Sequence, residues 1–143
     1  MAIKVKYDDI AFAFDFVSSD RPYINEAYLS KETETLYYDS PYADDDMFDT
    51  PPENVISTDD YIQIPHKNDL NLGYRLVRTF VRIHIPEEMS QVALFFNAPG
   101  AYARFKDLLK REDLLQEWYQ FEADRTESKL RSWCELKGIE LED

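Results

Sequence analysis

Four arginines are the residues whose type and spacing best suit ligand chemistry in this sequence. Arg75, Arg78 and Arg82 recur at i, i+3 and i+7, so a helix would carry them on one side, and Arg104 follows later in the chain. A guanidinium can form paired hydrogen bonds with phosphate or carboxylate groups. The spacing marks a candidate anion- or partner-binding row. The alternative is that these arginines neutralise the chain's own acids or are simply solvated.

An acidic segment is the second candidate. From Glu32 to His66 the chain has ten carboxylates and no lysine or arginine. Its centre, about residues 39–60, combines adjacent prolines with like charges, which is typical of a loop. It lacks the spacing and the turn glycine of a calcium-binding loop, so a solvated acidic loop is preferred to the alternative of a divalent-cation site. The aspartates that could gather a cation are instead a candidate acidic partner surface: Asp44, Asp45, Asp46 and Asp49.

The remaining reactive side chains form no known catalytic pattern. His66 and His84 have no metal-ligand spacing and are expected to be ordinary hydrogen-bonded histidines. Cys134 is the one cysteine, which excludes an intrachain disulfide, and beside Trp133 it is expected to be a buried apolar residue. Hydrolase, phosphate-loop and dinucleotide motifs are missing, and there are three glycines. The sequence therefore indicates no catalytic residues and no cofactor.

Length and charge limit the class of protein. The 143 residues suit one domain, 1–143. With 16 basic and 29 acidic residues, the net charge of −13 disfavours direct binding to nucleic acid or anionic membranes and would attract a basic protein surface. The first residues, MAIKVKYDDIAF, lack the apolar core of a signal peptide, and no apolar run approaches the ~20 residues of a membrane span. These features predict a cytoplasmic protein.

Local patterns predict an α+β fold, mainly helical, with a small antiparallel sheet. Ile3–Tyr7 alternates like a short edge strand, EAYL and TLYYD predict a hairpin, and YIQIP a further strand. The apolar residues of 8–17 fit both the helical period and the alternation of a strand. A helix would bury Ile10, Ala13, Phe14 and Val17, whereas a strand would align Ile10, Phe12, Phe14 and Phe16. The acidic start and the Ser18-Ser19-Asp20 ending favour the helix.

Helices are expected after residue 69. Asp69 would cap one that Pro86 stops, with an inner face of Leu72, Leu76, Thr79, Phe80 and Ile83. Another helix is expected over about 87–97, followed by a C-terminal helical hairpin. In that hairpin the first helix begins after Pro99-Gly100 and buries Ala101, Phe105 and Leu108.

The second helix of the hairpin is expected to start with Asp113 as its N-cap and to stop at Gly138. Its predicted inner face is Tyr119, Ala123, Thr126, Leu130, Trp133 and Lys137, with Trp133 in the core near Leu76 and Phe80. Arg104 falls near the edge of the first helix's apolar face. It would pair with Glu117 or Glu122, or bind an external anion.

The run GAYARFKDLL, followed by EWYQFE and then SW, resembles an uncharacterised family of small acidic bacterial proteins. The shared features span nearly the whole chain and fall on Tyr28-Leu29, Ile64-Pro65, Gly100 to Asp107, Trp118 to Phe121, and Trp133. This chain departs from the family at Pro99, Ala103 and Glu122, where basic residues are frequent. The resemblance implies one domain with this topology. Because the family has no assigned function, it implies no catalytic residues.

Two classes of function follow. The preferred hypothesis is a non-enzymatic, macromolecule-binding or regulatory module that uses an acidic surface to bind a basic protein; a specialised version mimics nucleic acid. The alternative is a small hydrolase or nucleotide-acting enzyme that uses Arg78 or Arg104 with carboxylates. A concave pocket uniting Arg104, a histidine and two carboxylates would favour the enzyme. An exposed acidic surface would favour the binding module.

Overall fold

Five α-helices and five strands form an α+β fold in the computed structural model, which describes residues 2–42 and 59–143. This fold class was predicted and is confirmed. The chain divides into two compact units. The first unit is Met1–Leu70 with Lys129–Asp143, and the second is Asn71–Ser128. The expectation of one domain over 1–143 stays a prediction.

The first unit begins with β1 (Ile3–Lys6), which pairs in parallel with β5 (Ile139–Glu142). Lys4 lies opposite Glu140, and Lys6 lies opposite Glu142. The predicted strand is confirmed over Ile3–Lys6, whereas Tyr7, which the prediction included, is the first residue of the helix that follows. The strand β5 was not predicted. The backbone reaches β5 through Gly138, whose φ of 75° is readily adopted only by glycine, as its expected role after a helix requires.

Residues 8–17 are helical. They lie in α1 (Tyr7–Ser18), which buries Ile10, Ala13, Phe14 and Val17 and leaves the Phe12 side chain 53% exposed. Asp8 and Asp9 lie in its first turn, where carboxylates interact favourably with the helix dipole. The helical alternative, with its four predicted core positions, is confirmed.

An antiparallel sheet completes the first unit. It consists of β2 (Glu26–Ser30), β3 (Leu36–Asp39) and β4 (Tyr61–Gln63) in the order β3-β2-β4. The central strand β2 buries consecutive residues, as a strand covered on both faces must. The predicted hairpin and the YIQIP strand are confirmed. Residues 43–58, most of the predicted acidic loop, lie outside the described residues.

The second unit is helical. It contains α2 (Tyr74–His84), α3 (Met89–Phe95), α4 (Ala101–Arg111) and the first part of α5 (Leu115–Leu136). The Trp118 ring is 1% exposed and meets Phe80 and Phe105 edge-on, with centroids 5.3 and 5.1 Å apart. Edge-to-face packing suits the quadrupoles of aromatic rings. Trp118 is therefore the centre of this unit's core.

Two predicted helix caps are wrong. Asp69 lies in a 3-10 turn, Lys67–Leu70, where its carboxylate accepts the His66 backbone N–H at 3.0 Å, and α2 begins only after Gly73. Asp113 has a φ of 58° and ends α4 instead of starting α5. The Leu114 N–H reaches back to the Leu109 carbonyl at 2.8 Å, a closure typical of helix C-termini.

Two predicted helix faces are rotated by about one residue. In α2 the buried residues are Leu76, Val77, Phe80 and Val81, whereas Ile83 is 58% exposed. In α5 they are Trp118, Leu130 and Cys134, whereas Tyr119 is 39% exposed and Trp133 is partly exposed. Adjacent apolar residues made either face possible. Contact of Trp118 with Phe80 and Phe105 selects the observed face, so the prediction of Trp133 as a fully buried core residue is wrong.

Cys134 is expected to be chemically protected in the folded protein. Its side chain is fully buried, and burial raises the pKa of its thiol from 9.0 to about 11, with the nearby Arg131 charge opposing the change. Only the thiolate is alkylated rapidly. Iodoacetamide should therefore modify the native protein far more slowly at pH 8 than the urea-unfolded protein. Equal rates would contradict the burial.

The same thiol should make stability depend on alkaline pH. Between about pH 9 and 11 the unfolded chain loses the thiol proton while the folded chain retains it, so this group lowers the free energy of unfolding as pH rises. Below pH 9 the thiol is protonated in both states and contributes no slope. Urea unfolding at pH 8 and 10 should show a larger loss for the wild type than for Cys134→Ala, in which this titration is removed.

Candidate functional site

The acidic charge is concentrated in one unit. Among the described residues, the first unit has 15 acidic and 8 basic residues, whereas the second has 9 acidic and 8 basic residues; five further acids of the first stretch lie outside the described residues. Most of the described carboxylates of the first unit are exposed: Asp8, Asp9, Asp15, Glu32, Glu34, Asp39, Asp59, Asp60, Asp69, Glu135, Glu140, Glu142 and Asp143. We call this unit the acidic unit. The second unit is nearly neutral, so most of the net charge of the chain belongs to the acidic unit.

The predicted arginine row lies on α2 in the second unit. Arg75, Arg78 and Arg82 are all exposed, and Arg75 Nη1 donates to Asn71 Oδ1 at 3.3 Å. Their spacing places them along one side of the helix, as expected. The row therefore belongs to the unit in which acids and bases nearly balance.

Arg104 is an exposed residue of α4, and its Nη1 donates to the Pro99 carbonyl at 3.2 Å. This bond ties the side chain to the start of its own helix. Glu117, one of its two predicted partners, has an oxygen 3.5 Å from His84 Nδ1 instead. Arg104 therefore supports the local backbone, and its proposed role in binding an anion stays a prediction.

The predicted acidic partner residues, Asp44, Asp45, Asp46 and Asp49, lie outside the described residues. Across residues 2–42 and 59–143, no group of three or more histidine, cysteine or acidic side chains is placed to hold a metal ion. In the same residues, no helix is both long and apolar enough to cross a membrane.

A cavity of about 500 Å³ lies within the acidic unit. Its walls include three aromatic side chains, two lysines, two carboxylates and a histidine: Tyr23, Tyr61, Trp133, Lys31, Lys137, Glu26, Asp69 and His66. Trp133 thus lines a cavity, a role that the sequence did not indicate. The cavity combines a histidine with two carboxylates, as the enzyme hypothesis requires. The basic residues that line it are Lys31 and Lys137, whereas Arg104, which that hypothesis required, belongs to α4 of the second unit.

His66 is held by hydrogen bonds on both sides of its ring. Nε2 lies 2.7 Å from the Asp20 carbonyl, and Nδ1 lies 3.0 Å from the Asn68 backbone nitrogen. A backbone N–H can only donate and a carbonyl can only accept, so we assign the proton to Nε2. Both ring nitrogens are therefore occupied within the protein. The expectation of an ordinary hydrogen-bonded histidine is confirmed here.

The two carboxylates of the cavity are also engaged. Asp69 accepts the His66 backbone N–H, and Glu26 accepts the Tyr28 hydroxyl. Burial raises the pKa of Tyr28 above its usual range, and the Glu26 bond adds to this effect. These contacts engage both carboxylates within the protein and brace the wall of the cavity.

The β1–β5 pair presents a second candidate surface, which the sequence reasoning missed. Glu140 and Glu142 are exposed, whereas Ile139 is buried and Leu141 is half-buried. The alternation in IELE was the available signal. It covers only four residues and does not reveal that the partner strand lies near the other end of the sequence.

No family model, curated protein or solved structure matches this chain. The resemblance to an uncharacterised bacterial family therefore stays a prediction. Two of its most specific positions, Phe105 and Trp118, are core residues of the second unit. Packing alone accounts for those two residue types.

Proposed function

We propose that this protein is a non-enzymatic cytoplasmic binding module whose acidic unit recognises a basic surface on another protein. The observation that carries the proposal is the uneven charge of the described residues: 15 acidic and 8 basic residues in the first unit, against 9 and 8 in the second. Charge needed only for solubility can be spread over the whole surface. Charge gathered on one unit produces a directional field that steers and orients a partner.

The sign of the charge selects the partner class. Duplex nucleic acid and anionic lipid would be repelled by the acidic unit, whereas lysine- and arginine-rich protein surfaces would be attracted. The arginine row of α2 does not reverse this preference because acidic residues of its own unit balance it. A nucleic-acid-binding protein is one basic partner of this kind, so mimicry of nucleic acid is a special case of the proposal.

The enzyme hypothesis has one observation in its favour. The cavity of about 500 Å³ has the size of a small-ligand pocket, and its two lysines could attract an anion. The engaged state of His66, Asp69 and Glu26 argues against catalysis there. Thermal unfolding with inorganic phosphate or a nucleoside triphosphate tests this alternative, because a ligand of the folded state must raise the midpoint.

A pair of charge variants tests the proposed function. One variant carries Glu32→Gln, Asp39→Asn, Asp59→Asn and Asp60→Asn in the acidic unit. The other carries Glu87→Gln, Asp107→Asn, Glu112→Gln and Asp124→Asn in the second unit. All eight residues are exposed, so both variants change the net charge equally. The probe is a fluorescent lysine-rich peptide, with binding measured by anisotropy at low and physiological salt.

The acidic-unit variant should bind the peptide roughly tenfold more weakly at low salt, since each exposed ion pair contributes up to ~1 kcal/mol. The second-unit variant should stay within about twofold of wild type, and added salt should reduce the difference. Equal weakening in both variants would contradict the proposal, because net charge alone would then explain the binding.

A further inference from the structure

We propose that the outer edge of β5, which pairs with no strand among residues 2–42 and 59–143, binds an extended, alternating basic segment of the partner protein by strand addition. This inference rests on the proposed function and adds the binding mode. It assigns a specific role to Ile139, Glu140, Leu141 and Glu142, whereas the proposed function depends only on the total charge of the acidic unit. The inference depends on the parallel pair of β1 and β5. The outer edge of β1 is capped by a side chain, and β5 carries exposed glutamates.

The backbone groups of β5 divide between its two sides. The Ile3 N–H donates to the Gly138 carbonyl at 3.3 Å, and Ile3 lies opposite Ile139. In a parallel ladder with this register, alternate residues of the second strand bond to the first strand. Residues 138, 140 and 142 therefore face β1. The N–H and carbonyl groups of Ile139 and Leu141 point to the other side, where an added strand could pair with them.

The opposite edge of the pair is capped by a side chain. The outward backbone N–H of Lys4 on β1 donates to the carboxylate of Glu34. Glu34 lies in the turn between β2 and β3 with a φ of 59°, a backbone conformation that non-glycine residues seldom adopt. Natural sheets often protect an edge with such a charged side chain. In the part of the chain that the structure describes, the outer edge of β5 has no strand partner, so it is the edge that an added strand would use.

There is space beside the start of β5. A cavity of about 370 Å³ is lined by Arg131 and Glu135 of α5 and by residues 138–141, with Ala2. Arg131 is held by an ion pair with Asp143 at 2.8 Å. Glu135 is exposed and adds a carboxylate to the rim. The cavity therefore offers room for alternate side chains of an added strand and has an acidic border.

The existing pair shows which strand chemistry suits β5. In β1 the sequence Ile-Lys-Val-Lys sets Lys4 opposite Glu140 and Lys6 opposite Glu142, while Ile3 and Val5 lie opposite Ile139 and Leu141. Opposite charges and apolar pairs across strands are both stabilising. A segment that alternates lysine or arginine with β-branched residues would reproduce this match on the outer edge of β5.

A second copy of the chain is a poorer occupant. Edge-to-edge pairing of two β5 strands brings the glutamates of both copies together, and like charges across strands are destabilising. The β1 strand of a second copy is already paired with its own β5. Charge therefore favours a basic partner segment over self-association.

Two peptides of equal composition test the inference. One alternates lysine and valine, and the other groups its lysines before its valines. We expect the alternating peptide to bind roughly tenfold more tightly, since only alternation places all lysines on the glutamate face. Hydrogen exchange should show that the amides of Ile139 and Leu141 exchange rapidly in the free protein and become protected by the alternating peptide.

Leu141→Pro and Leu141→Ala form the matched pair of variants. Proline removes an N–H that β1 does not use and that an added strand needs, whereas alanine retains it. Both lose the leucine side chain. Binding of the alternating peptide should fall at least about tenfold in the proline variant and stay within about threefold in the alanine variant. Circular dichroism of both variants verifies that they fold.

The outcomes separate the two proposals. Equal binding of the two peptides, or unprotected Ile139 and Leu141 amides in the complex, overturns strand addition. If that binding still depends on the acids of the first unit, the proposed function survives. Binding of neither peptide overturns both proposals. Dimerisation of the free protein with protection at Ile139 and Leu141 would overturn the choice of occupant.

Discussion

Replacing Trp118 with alanine is expected to lower the free energy of unfolding by about 3–5 kcal/mol, the usual cost of removing a large buried aromatic side chain. The ring is 1% exposed and contacts Phe80, Phe105 and Phe121, with centroids 5.1 to 6.3 Å away. Urea unfolding monitored by circular dichroism measures the loss. The substitution would leave a cavity in the core of the second unit, so we expect the second unit of the variant to unfold first.

Two further variants make this prediction specific. Trp133→Ala should cost clearly less, because Trp133 is partly exposed. Trp118→Phe should also cost less than alanine, for two reasons. It retains an aromatic ring, and it removes the indole N–H, which is buried without a hydrogen-bond partner among residues 2–42 and 59–143. A larger loss in Trp133→Ala than in Trp118→Ala would contradict the assignment of the core.

Phe14→Ala is expected to cost about 3–5 kcal/mol, whereas Phe12→Ala should cost roughly 1 kcal/mol. The two phenylalanines are separated by one residue of α1. Phe14 is 3% exposed, whereas Phe12 is 53% exposed and retains an edge contact with Tyr38 at 5.9 Å. In a helix, residues two apart point in different directions, which explains the difference.

The pair provides its own control because the same side chain is removed at both positions. Each variant is compared with wild type by urea unfolding, with the denaturant slope checked for equality. Similar losses at the two positions would mean that both rings lie on one buried face. That result would support a strand over residues 8–17 and contradict α1.

Where local pattern and tertiary packing agree, the sequence was sufficient to predict the structure. In α1, the helical period selected Ile10, Ala13, Phe14 and Val17, and all four are buried. The hairpin of β2 and β3 is similarly local, since its strands are separated by a short turn. Short-range spacing determines both elements, so both can be predicted from a single sequence.

The register of α5 could not be predicted in the same way. Trp118 and Tyr119 are adjacent large aromatics, and each fits an amphipathic helix. The choice depends on Phe80 and Phe105, which meet Trp118 from distant positions in the sequence. The helical period predicts how wide an apolar face is. When two large apolar residues are adjacent, it does not determine which of the two lies at the centre of the buried face.

The candidate site was only partly visible in the sequence. The spacing of Arg75, Arg78 and Arg82 correctly predicted one exposed row on a helix. The concentration of acids in one unit was not predicted, because that unit includes residues 129–143 as well as 1–70. Composition counts charges along the chain. Only tertiary contacts decide which of them share a surface.

The parallel pairing of β1 with β5 has a consequence for the order of folding. Helices of the second unit come from one continuous stretch, residues 71–128, so their contacts can form as soon as that stretch has been synthesised. The first unit must wait, since β1 has no strand partner until residues 139–142 have been made. During that time Lys4 and Lys6 keep an unpaired strand charged, which opposes aggregation. In this chain the region synthesised earlier is completed last.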